Sequence, residues 1–133
     1  MGSNPLPRRM DYERAHFSED YILLEDYPYY SARYKNHVIL EKRFVWDGAT
    51  AAIDLEPEAS GVHDWLCGNY RGRGPEPPIG QWHDGTKLTN WQASVVYRDI
   101  LRATGHTITR SNIRMMAVFF GGGSQIKKQN GWV

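Results

Sequence analysis

His63 and Asp64 stand side by side in the stretch ASGVHDWLCGNY. An imidazole that titrates near neutrality can take a proton or bind a metal, and a neighbouring carboxylate can fix its tautomer or share the metal. Asp47, the pair His83-Asp84 and His106 could add nitrogen and oxygen donors, with Asp64 and Asp47 as the first candidate metal ligands. The spacing of these groups follows no zinc or calcium motif. The residues themselves leave three roles open for His63: base, ligand, or hydrogen-bonded core residue. Cys67, one helical turn on, reads as a nucleophile or as a packed thiol.

The elements that must position these groups follow from period and punctuation. YILLEDYPYYSARY and NHVILEKRFVWDG are rich in Tyr, Val, Ile and Phe, and predict two or three antiparallel strands ending at the Asp47-Gly48 turn. From Pro57 the pattern changes: Ala59, Val62, His63, Leu66, Cys67 and Tyr70 share one helical face. Residues 71–88 hold four Gly and three Pro and predict a long loop, with Arg71, Arg73 and Trp82 as candidate contact residues. A second helix runs from a Thr89 or Asn90 cap to Ala103, with Trp91, Ala93, Val96, Tyr97, Ile100 and Leu101 inward and Asp99 outward. A third starts at Thr109 or Ser111, turns Ile113, Met116, Ala117 and Phe120 inward, and stops at Gly121-Gly-Gly. The fold class is therefore α+β: a small N-terminal antiparallel sheet, then three packed helices. Residues 1–19 and 122–133 read as extended arms around a single domain at 20–121. Trp132 is the expected anchor by which the C-terminal arm docks on another protein, docking on the parent domain being the rival.

Composition narrows the function classes. With 133 residues the chain suits one modest domain. Sixteen basic and fifteen acidic side chains leave a net charge of +1, so no global field draws it to nucleic acid or to an anionic membrane. No apolar run approaches the roughly 20 residues of a membrane helix, and the first residues carry no signal-like apolar stretch. One cysteine forms no internal disulfide, which suits synthesis in a reducing cytoplasm. GGGSQIKK lacks the spacing of a phosphate loop.

The segments VWDGAT, HDWLC, ASVVY followed by LRATG, and AVFFG occur in that order between Val45 and Gly121. Together they resemble an uncharacterised, mostly bacteriophage-encoded domain family whose signature is of the HDWLY type. The resemblance implies a phage context: a virion-associated or accessory structural protein, made in the host cytoplasm, that binds other phage structural proteins and could form a symmetric homo-oligomer. The His-Asp helix is also distantly similar to that of phospholipase A2 enzymes, where the histidine activates water, the aspartate binds calcium, and a Tyr and a second-helix Asp orient the histidine. Carried over, His63 would be the base and Asp64 the calcium ligand, helped by carbonyls near Asp47. The Tyr position is Cys67 here and the second-helix Asp position is Ser94. The expectation is thus a structural protein with a degenerate His-Asp site and no cofactor, the alternative being a calcium-dependent hydrolase.

Overall fold

The computed structural model describes residues 9–14, 20–47 and 57–133. Five strands come first: β1 (Tyr12–Arg14), β2 (Asp20–Leu23), β3 (Tyr27–Ser31), β4 (Asn36–Leu40) and β5 (Val45–Asp47). Four helices follow: α1 (Pro57–Cys67), α2 (Asn90–Ala103), α3 (Ile108–Gly121) and α4 (Ser124–Asn130). The fold is α+β, with α2 packed on both α1 and α3. Among the described residues, no helix is long and apolar enough to cross a membrane.

The strands divide into two antiparallel sheets, β1-β2-β5 and the β3-β4 hairpin. In the hairpin Tyr27 pairs with Leu40 and Tyr29 with Val38, so alternate side chains face the core while Pro28 and Tyr30 face out. Pro28 lacks an N–H and is tolerated on such an edge strand. Part of the expected N-terminal arm belongs to the domain. Residues 12–14 pair with β2, and the buried Met10 donates its N–H to the Glu58 carboxylate at 2.9 Å. Residues 1–8 and 15–19 of that arm, and Gly48 to Thr50 of the VWDGAT segment, lie outside the described residues.

Sheet and helices meet on an aromatic cluster. Phe44 and Trp46 point to the same side of the chain and stack at 5.6 Å, Tyr21 lies 5.3 Å from Trp46, and Trp65 of α1 meets Phe44 edge-on at 5.0 Å. The Trp46 indole N–H donates to Ser60 Oγ at 3.0 Å, so burial of the ring strands no donor. A bidentate pair makes a second link. Arg33, in the hairpin turn, donates from Nε and Nη2 to Asp99 at 2.7 and 3.0 Å. Asp99 is buried rather than outward, because the hairpin covers that side of α2.

The second helix starts as expected at Thr89, whose side chain accepts from Gln92 N while Gln92 reaches back to Thr89 N. The third is capped two residues earlier than expected, by Thr107, which accepts from Arg110 N at 3.1 Å. Its phase also differs. Ser111, Met115 and Phe119 are buried, whereas Ile113, Met116 and Phe120 are exposed. Six apolar residues in succession, MMAVFF, allow either phase by period alone. Tertiary contacts choose between them: Asn90 Nδ2 donates to the Phe119 carbonyl, and the Phe119 ring meets Trp91 and Trp132 edge-on.

The C-terminal tail is not an extended arm. Left-handed Gly123 turns the chain into α4, which buries Ile126 completely. A side chain on Gly123 would collide with Asn90 Oδ1. Beyond α4, the N–H groups at the start of α2 find carbonyls in the returning tail: Asn90 N donates to Gly131 O and Trp91 N to Trp132 O. Trp132 docks on its own domain, half-exposed against Phe119, with the Lys127 ammonium 3.9 Å from its ring centroid. Asn130 Nδ2 donates to both Gly80 O and Leu88 O at 2.9 Å, closing the base of a turn in which Leu88 N also donates to Gly80 O. Asn130→Ala should strip that turn of two bonds and lower the free energy of unfolding by about 1–3 kcal/mol. Urea denaturation of the two proteins measures the difference.

Candidate functional site

His63 projects from the inward face of α1 between α2 and the end of α3, and is only 4% exposed. Its Nε2 lies 3.5 Å from the Cys67 sulfur, the i, i+4 neighbour on the same helix. Its Nδ1 lies 3.7 Å from Asp64 Oδ1, beyond hydrogen-bond length, so that carboxylate acts through its charge. The Tyr97 ring covers it edge-on at 5.5 Å, and a Cβ placed on Gly122 would stand 3.7 Å from its Cε1. Burial alone lowers the affinity of the ring for its proton. Attraction to the Cys67 sulfur and to Asp64 outweighs it and raises the pKa to about 10.

In order these groups are thiol, imidazole and carboxylate, the sequence of parts used in nucleophilic catalysis. Access is what this arrangement lacks. Cys67 is fully buried and belongs to the main core cluster with Val62, Leu66 and Ala93. A base held protonated near neutral pH is also a poor proton acceptor. His63 is thus a buried residue with partners, as its position on the apolar face predicts. Ser94 Oγ donates to the Asn90 carbonyl one turn back along α2. The side chain of Asp47 lies outside the described residues.

Asp64 Oδ1 accepts from the Asn69 amide at 3.0 Å. Among the described residues, no three His, Cys, Asp or Glu side chains group so as to hold a metal ion. His83 and Asp84 belong to a different neighbourhood. The His83 ring lies 4.7 Å from that of His37, and Asp84 accepts from Asn36 and from Thr86 N, whose backbone N–H keeps its carboxyl below the usual range. His106 sits in the α2–α3 connection, beside Thr107 and Arg110.

The contact residues expected in the long loop each have a partner within the domain. Arg71 and Arg73 both reach the buried Asp20 at the start of β2, at 3.5 and 3.1 Å. Trp82 is buried, 6.0 Å from the Tyr34 ring, where the chain doubles back between Gln81 and Lys87. Both arginine side chains remain about half exposed, whereas Trp82 is a core residue.

The outer side of α3 presents a different kind of site. Ile113 is 65% exposed and Phe120 63%, with Met116 between them at i, i+3, i+7 spacing. Beside this stripe, Tyr97, Ile113, Ala117 and Val118 line a groove of about 390 Å³ together with Arg110 and Arg114. Helical period misplaces these residues in the core, but charge order points to them. All fifteen acidic residues occur at or before Asp99, whereas five basic residues, Arg102, Arg110, Arg114, Lys127 and Lys128, follow it.

The His63 environment sets an expectation for pH. A folded pKa above the unfolded 6.5 contributes stability that is complete below 6.5 and is lost as pH rises toward about 10. Tyr29, whose phenol burial raises, acts in the same direction only above its ordinary value of 10.0. Unfolding free energy measured between pH 6.5 and 9 should therefore fall, and His63→Gln should flatten the profile. A thiol reagent should label Cys67 only in denaturant.

Compared with known proteins, the chain matches no family model, no curated protein and no solved structure.

Proposed function

We propose that this protein is a binding subunit rather than an enzyme: an accessory structural protein of a bacteriophage particle, attached to a neighbouring particle protein through the outer face of α3. The observation that carries the reading is the exposed run Ile113, Met116 and Phe120 beside an apolar groove. Single exposed apolar residues are ordinary, but a stripe along about two helical turns is a contact surface in want of a partner. The phage setting rests on the resemblance of HDWLC and the segments around it. In this reading the His63-Asp64 pair supports the packing of α1 on α2, and the partner-binding role expected of the arms and the loop passes to α3.

A calcium-dependent, phospholipase-like hydrolase gains nothing from this geometry. Such an enzyme needs water at the imidazole and several oxygens around a cation, and His63 is enclosed by Cys67, Tyr97 and the chain at Gly122. In a phage that encodes this chain, the double variant Ile113→Asp, Phe120→Ser should fold normally, since both sites are exposed. Its amount in purified particles should drop by about an order of magnitude or more, as expected when anchor residues leave an interface. Quantitative blotting of particles measures this. Equal incorporation of the variant would remove α3 from the interface, and calcium-dependent release of fatty acid by the wild-type protein would restore the enzyme.

A further inference from the structure

We infer that His37 and His83 form a surface site for a late first-row divalent ion, Zn²⁺, Ni²⁺ or Cu²⁺, which clamps the β3-β4 hairpin to the long loop. Alternation along β4 turns Val38 and Leu40 into the core and leaves His37 on the outer face, across from the exposed Tyr30. In the loop, Trp82 is buried and the chain turns back at once, with Gly85 N donating to Trp82 O at 2.9 Å, so His83 and Asp84 are exposed. One backbone bond joins the two segments: His83 N donates to His37 O at 2.8 Å. The two imidazoles therefore stand side by side, with ring centroids 4.7 Å apart. Both are held on ordered backbone, which lowers the cost of bringing them to one ion.

Donor chemistry selects the ion. Neutral imidazole suits zinc, nickel and copper, whereas calcium and magnesium take oxygen ligands. With metal–nitrogen bonds of about 2.0–2.1 Å, two adjacent rings share one ion after rotation of solvent-facing side chains. The neighbouring carboxylate is occupied, since Asp84 accepts from Asn36 Nδ2 at 3.2 Å and from Thr86 N at 2.8 Å. No third His, Cys, Asp or Glu among the described residues completes the shell. The protein thus supplies two nitrogens and water the remaining positions. Such a site exchanges its ion, because closed structural zinc centres use four protein ligands. His63 and Cys67 also offer nitrogen and sulfur, but they are buried, at 4% and 0% exposure. Because His37 and His83 lie far apart in the sequence and meet only in the fold, the ion binds the native state in preference to the unfolded chain and stabilises it.

The test uses the untagged full chain in metal-free buffer. Ni²⁺ or Zn²⁺ at about ten times its dissociation constant should raise the Tm by about 4 °C or more, and EDTA should reverse the rise. Mg²⁺ and Ca²⁺ at the same concentration should leave the Tm unchanged. Titration calorimetry should give one ion per chain, with Cu²⁺ bound more tightly than Ni²⁺. His83→Ala should weaken binding at least about tenfold, the cost of losing even an outer partner of a metal ligand. His37→Gln should do the same, whereas His106→Ala should not. Circular dichroism verifies the folds of the variants. The electron paramagnetic resonance spectrum of the wild type with Cu²⁺ should show coupling to two nitrogens, a readout that stands even where a variant fails to fold. No rise in Tm with any of the three ions at about 0.3 mM overturns the inference. So does a rise that survives His83→Ala, a rise lost in His106→Ala, or a copper spectrum with a single nitrogen; each leaves the two rings as a packed surface pair.

Discussion

The whole fold depends on burying the indole of Trp46 without stranding its N–H. The ring has no exposed surface, stacks on Phe44, meets Tyr21 at a tilt, and lies against Gly61, where a Cβ would come within 3.1 Å of it. Its only hydrogen-bond partner among the described residues is Ser60, which in turn donates to Pro57 O in the first turn of α1. One strand residue thereby sets both the distance and the rotation of α1 against the sheet. With that rotation fixed, Val62, His63 and Leu66 face α2, and Asp64 lies at the edge.

The second closure comes from the other end of the chain. The tail returns because the first N–H groups of α2 require acceptors, and Gly131 and Trp132 supply two of them. The same return carries Ile126 into the core and Asn130 onto the turn at Gly80 and Leu88. It also directs the end of α3 over His63, so the features that shut the imidazole away from water are those that complete the helical layer. Sealing the His-Asp pair and exposing the outer side of α3 are two results of one packing arrangement.

Charge is distributed in step with this arrangement. Among the described residues several carboxylates are engaged: Asp20 with two arginines, Asp99 with Arg33, Asp84 with Asn36 and Thr86. After Asp99 the charged side chains are Arg102 on α2, Arg110 and Arg114 on α3, and Lys127 and Lys128 on α4. A net charge near zero conceals this asymmetry, because the balance is between two parts of the chain rather than within each. The protein thus combines a total charge of +1 with an uneven distribution of charge along the chain.

The sequence by itself determined the features that depend on neighbours along the chain. The α+β order, the change of period at Pro57, the Thr89 capping box, the glycine stop after α3 and the burial of His63 all follow from spacing and local backbone chemistry. Features that depend on contacts between distant segments were decided only in three dimensions. MMAVFF is apolar on every side, so Asn90, Trp91 and Trp132 chose which face of α3 turns inward. SQIKKQN has little periodic pattern, and became a helix because Gly123, Ile126 and Asn130 each met a partner elsewhere. Asp99 read as solvent-facing until a hairpin some sixty residues earlier brought Arg33 across it. His63 could be a base, a ligand or a core residue on its dipeptide alone. Tyr97 and the chain at Gly122 settled its surroundings, because exclusion of water is made by distant segments and leaves no mark on the residues it encloses.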